Sequence, residues 1–154
     1  MVVQHLVAFL RSLGKKNREF GNDDPRVAAV ALFFHIVDAD GQEQGVEKQV
    51  LYDIVSREFE LAGADLKALI EAGRQANQNC LDIFPFTATL KRHLGRQECI
   101  TFIGLLWEIA FADGYVYELE DTLIWRIADL IGVDRKDRLE LKKLVGQKQK
   151  PAEK

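Results

Sequence analysis

Ala31–Glu47, ALFFHIVDADGQEQGVE, returns later in the chain as Phe102–Glu120, FIGLLWEIAFADGYVYELE. In both stretches an apolar run ends in Ala-Asp-Gly, a short loop follows, and a glutamate opens the next segment. Asp40-Gly41 and Asp113-Gly114 are 73 residues apart, and so are Glu47 and Glu120. At that offset Ile36 matches Ile109, Ala39 matches Ala112 and Ile54 matches Ile127. Phe34 falls opposite Trp107, and Val50 and Leu51 fall opposite Leu123 and Ile124. The chain therefore holds a repeated helix–loop–helix with one Asp and one Glu fixed in each copy.

Helical signals continue on both sides of the repeat. Val2–Leu13 sets Val2, Val3, Leu6, Val7, Phe9, Leu10 and Leu13 on a wide apolar stripe. Asp24-Pro25 is an N-cap followed by proline at the first helical position, opening a helix to about Ala39. That helix is apolar almost all round, which suits the centre of a bundle. Val46–Phe59 follows, then Ala62-Gly63 as a break, a more polar helix over Asp65–Asn79, and a short one from Asp82 to about His93. Gln97–Ala112 is the second buried helix, and Glu118–Ile131 ends at Gly132. Asp134 caps a last helix, Arg135 to about Val145, and 146–154 reads as a basic, solvated tail. No segment sustains strand alternation, so the expected fold class is all-α. The expected organisation is an N-terminal helix and connector over 1–23, one helical domain over 24–145, and the tail.

Composition bounds the function. The chain has 154 residues, 47% apolar and 29% charged, values of an ordinary globular protein long enough to bury a core. No apolar run approaches the ~20 residues needed to span a bilayer. The start has neither a basic leader ahead of its apolar part nor a cleavage site, so a cytoplasmic location is expected. Residues 21–133 carry 9 Lys/Arg against 19 Asp/Glu, whereas 134–154 carry eight basic and four acidic residues. An acidic middle argues against nucleic acid, whose phosphates need a concentrated positive face. A cation or a basic protein partner fits it better. The apolar stripe of Val2–Leu13 with Lys15, Lys16 and Arg18 could lie on an anionic membrane surface, but packing on the bundle is the expectation.

Two copies of a buried helix ending in ADG, each with a Glu seven residues after the Asp, resemble the TerB-like family. Its namesake is tellurite-resistance protein B. The resemblance covers Asp24–Val133. It implies a compact bundle of seven or eight helices, with the two Asp-Gly loops brought together about a pseudo-two-fold. It also implies a divalent-cation site and a place in bacterial stress, tellurite-resistance-type or metal-handling systems. Carried over by position, the metal ligands would be Asp40, Glu47, Asp113 and Glu120. The chain departs from the usual loop of that family: Tyr117 and Gln44 stand where an Asp would cap the following helix, and Glu43 replaces an aliphatic residue. A missing cap costs roughly 0.5–2 kcal/mol.

The spacing has chemistry of its own. Asp-Gly-x5-Glu is the second half of a calcium-binding EF-hand loop, in which Gly turns the chain and Glu chelates. The first half is absent: Ile36 and Ile109 stand at its leading position, and only Asp38 fills the third, where copy two has Phe111. Neither loop alone makes a full oxygen cage. Two half-sites face to face could supply four carboxylates, and such hard ligands favour Ca²⁺ or Mg²⁺. The alternative is structural: Asp40 and Asp113 satisfy loop amides, and Glu47 and Glu120 sit in first helical turns, where the dipole favours negative charge. Cys80 and Cys99 have no visible base, His35 with Asp38 reads as a core histidine rather than a ligand pair, and no catalytic residue is assigned. The expected function is a non-enzymatic binding module that holds a divalent cation at paired acidic loops. The alternative is a metal-independent interaction module that docks a basic partner on the same acidic face.

Overall fold

A computed structural model describes residues 23–39 and 45–149. The expected helix Val2–Leu13, Asp40-Gly41 and residues 150–154 lie outside them. Seven helices and no strand occur among the described residues: α1 Pro25–Val37, α2 Gly45–Phe59, α3 Gly63–Asn79, α4 Phe84–His93, α5 Arg96–Ala110, α6 Glu118–Ile131 and α7 Arg135–Gln149. None is long and apolar enough to cross a membrane.

The apolar character of α1 places it. Every residue from Pro25 to Phe34 is buried, and α2, α3, α4, α5 and α6 all pack on it. Asp24 caps its start by accepting the Arg26 N–H at 2.8 Å, and the same carboxylate pairs with the Arg26 guanidinium. The second central helix, α5, touches α1, α2, α6 and α7. The stacked rings of Phe33 and Phe102, 5.4 Å apart, join the two. Phe34 and Trp107 are both buried, as their equivalent positions predict.

The repeat proves longer than the sequence reading made it. The most extensive contact of α1 is with α3, and that of α5 is with α7, so each copy is three helices and α4 links them. Gly73 in α3 and Gly146 in α7 are again 73 residues apart. A Cβ on Gly73 would lie 2.3 Å from Val30 Cγ1, and one on Gly146 would lie 3.0 Å from the Phe111 ring. Both glycines therefore permit close approach within a helix. This is why α7 runs on to Gln149, where a helix end near Val145 was expected: Gly146 is a packing glycine, not a stop.

The α7 helix has little apolar face and is held by specific contacts. Trp107 Nε1–H donates to the Arg138 carbonyl at 3.2 Å, Lys142 Nζ lies 5.3 Å from the centre of the Trp107 ring, and Lys142 pairs with Asp121 at 2.8 Å. At the α6 C-terminus Gly132 takes φ 85°, the left-handed conformation that closes a helix, and Asp134 then accepts the Asp137 N–H at 2.9 Å to begin α7.

Candidate functional site

The second Asp-Gly loop, which joins α5 to α6, is described in full. Phe111 N–H closes the last turn of α5 on the Trp107 carbonyl, and Gly114, at φ 87°, donates to the Phe111 carbonyl at 2.7 Å. Asp113 Oδ1 accepts the Tyr115 N–H at 3.2 Å, a local side-chain turn that an Asp at this position readily makes. Its other oxygen accepts the Tyr117 hydroxyl at 3.4 Å. Glu120 Oε1 accepts the Tyr117 N–H at 3.2 Å. That last bond replaces the missing Asp cap: Tyr117 has no capping side chain, so the third residue of the helix reaches back to the orphan amide.

The four carboxylates expected to act together separate into different roles. Asp113 is exposed and holds the loop, whereas Glu120 is 2% exposed and caps α6. Tyr117 bonds to both. Glu47, in the first turn of α2, is fully buried, as is its counterpart Glu120. Asp40 lies outside the described residues. Among those residues no group of three or more His, Cys, Asp or Glu side chains is placed to hold a metal ion.

Long-range contacts show how the two copies meet. Arg57, near the end of α2, donates to Glu108 in the last turn of α5 at 3.2 Å. In the other direction, Arg126 in the second half of α6 acts electrostatically on His35, at the end of α1. Each copy's second helix thus sends its C-terminal half to the end of the other copy's first helix. Glu47 stands about 15 Å along the helix axis from Arg57, at 1.5 Å per residue. Glu47 is therefore at the far end of α2 from the contact that adjoins the second loop.

His35 is half-buried. Burial, first of all, holds its pKa below the usual imidazole value; a bond to Asn77 opposes this, Arg126 adds to it, and Asp38 opposes it. Asn77 also donates to Asp38 at 3.4 Å. Cys80 and Cys99 are free thiols, and burial pushes Cys99 up to about 11. Such a thiol is a poor nucleophile at neutral pH.

The surface around the second loop carries a feature that the pattern left open. Tyr115 is 60% exposed and Trp125 50% exposed, and Tyr117 and Leu119 also face solvent. The rings of Tyr115 and Tyr117 meet edge to face, 4.8 Å apart. Trp125 flanks Arg138, whose guanidinium carbon lies 5.9 Å from the ring centre. Between these aromatic groups stand Glu118 and Asp121. Aromatic side chains of this kind are enriched where proteins meet.

The fold and this loop define a small all-helical module built on a duplicated Asp-Gly turn. The profile of the family described as Tellurite resistance protein TerB matches residues 26–143, and the chain belongs to that family. It is similar to the Co-chaperone protein DjlA of Yersinia pseudotuberculosis serotype I (strain IP32953), at 29% identity over 148 residues. The match covers 88% of this chain and 50% of that protein, so the chain spans about half the length of this curated relative. No solved structure matches the chain.

Proposed function

We propose that this chain is a non-enzymatic, metal-independent interaction module of the bacterial cytoplasm. It docks a basic, partly apolar segment of a protein partner on the face made by the second loop and the start of α6. The observation that carries this reading is the exposure of Tyr115, Tyr117, Leu119 and Trp125 beside Asp113, Glu118 and Asp121. Aromatic groups provide contact area at low entropic cost, and the carboxylates steer a cationic segment toward it. The similarity to a co-chaperone supports a protein partner and a role in protein-quality or stress responses. The test is titration with a synthetic peptide alternating Leu with Lys or Arg, followed by Trp125 fluorescence. Binding should weaken with salt and with Tyr115→Ser. Fluorescence unmoved by the peptide would refute the reading.

A second reading is a Ca²⁺ or Mg²⁺ ion held by Asp40, Glu47, Asp113 and Glu120. The burial of Glu47 and Glu120 in equivalent first turns favours it. Against it stands the distance of Glu47 from the Arg57–Glu108 contact, since one ion needs both loops together. If such an ion binds the folded state, millimolar Ca²⁺ or Mg²⁺ raises the melting temperature and Asp113→Asn blunts the rise.

A further inference from the structure

Glu58 stands where the second copy has Ile131, 73 residues later, and both side chains are buried. The carboxylate occupies a core position of the repeat. Its Oε2 accepts from Arg57 Nε at 2.9 Å, while its Oε1 is buried and has no hydrogen-bond partner. Arg57 is half exposed, and its Nη2 reaches Glu108 Oε1 at 3.2 Å. One guanidinium at the surface is thus shared between a buried carboxylate on α2 and a more accessible one on α5. An ionised carboxylate oxygen without a donor in a dry site is costly, and a proton removes the charge that makes it so.

We infer that Glu58 is a proton-operated latch between α2 and α5. Ionised, it loosens the junction and draws on Arg57. Protonated, it packs as Ile131 does in the other copy and leaves Arg57 to Glu108. Of the helices packed on α2, α5 brings Glu108 to this position, and α1 and α3 bring no charged group that acts on it among the described residues. Burial, the largest influence, holds the Glu58 carboxyl above the usual glutamate value; Arg57 pulls it down and Glu108 pushes it up. An acid raised in the folded state makes the folded state the tighter proton binder. The destabilisation is therefore complete above the folded pKa and is relieved as pH falls toward the unfolded value. Because Glu108 lies in the last turn of α5, the latch adjoins the base of the second loop.

Urea unfolding of wild type, Glu58→Ile, Glu58→Gln and Glu108→Gln across this pH range tests the proposal. At neutral pH Glu58→Ile should unfold at higher urea than wild type, and the gap should shrink as pH falls. Glu58→Gln should lose the acid-induced gain whatever its absolute stability, whereas Glu108→Gln should keep it. The Glu58 carboxyl carbon, followed by NMR, should titrate above the exposed glutamates. A Glu58→Gln profile parallel to wild type, or a Glu58 midpoint at or below the exposed glutamates, overturns the inference.

Discussion

Trp107→Ala removes the largest fully buried side chain of the bundle. The structure sets out what is lost. The ring is closed off from solvent, lies 6.3 Å from the Phe111 ring and beneath the Lys142 ammonium, and its N–H binds the Arg138 carbonyl. Truncating a buried aromatic costs ~3–5 kcal/mol once the cavity is counted. Against a total of ~5–15 kcal/mol for an ordinary domain, that is a large share. Trp107→Phe separates the parts. It keeps most of the bulk but leaves the Arg138 carbonyl without its donor, a cost of about 1–3 kcal/mol. Because α7 is held by few apolar contacts, its amides should gain hydrogen-exchange rate more than those of α1 in this variant. Urea unfolding followed by far-UV circular dichroism gives the energies. The remaining Trp125 gives a second readout, because the emission of Trp107→Phe should be that of an exposed indole. A loss under about 1 kcal/mol for Trp107→Ala, or uniform exchange changes in Trp107→Phe, would refute this account of how α7 is held.

Gly73→Ala should destabilise, because its Cβ would lie 2.3 Å from Val30 Cγ1 and overpacking costs ~1–3 kcal/mol. Gly104→Ala, whose nearest neighbour would be Leu141 Cδ2 at 3.5 Å, should be neutral or stabilising by up to about 1 kcal/mol through helix propensity. Paired melts of the two variants check the contrast. Glu120→Ala should cost about 0.5–2 kcal/mol as a lost cap, and Glu120→Gln should cost less because an amide oxygen can still accept the Tyr117 N–H. Equal losses in the two would deny the capping role. In a thiol-reagent assay of native protein at neutral pH, half-buried Cys80 should react first, and Cys99 should react only as the chain unfolds.

Much of this fold is legible in the residues because core helices announce themselves by what they lack. Val27–Phe34 offers no polar face, so α1 has to be central, and the 73-residue echo at Phe102–Ala110 places α5 beside it. Caps at Asp24 and Asp134 and the stop at Gly132 mark ends that the structure keeps. The third helix of the repeat escapes the pattern because α3 and α7 are polar, and their correspondence rests on a glycine pair. Gly146 reads locally as a break, and only its register with Gly73 reveals a contact. Capping by Glu120 is likewise readable, since a glutamate at the third helical position is half of a capping box. The buried Glu58 could have been found by setting it against Ile131. The exposure of Tyr115 and Trp125 has no sequence signal, because an aromatic residue at a helix edge suits core and surface equally.

The central claim is that the second loop and the start of α6 form a docking face without a metal ion. ¹⁵N-labelled protein titrated first with Ca²⁺ and Mg²⁺ and then with the basic amphipathic peptide tests it most directly. The account predicts that the ions leave the amides of Glu47 and Glu120 in place. The peptide should then shift a contiguous set from Asp113 to Trp125, and added salt should reverse that shift. Ion-specific shifts at Glu47 and Glu120 together, with no peptide response over Asp113 to Trp125, would contradict it.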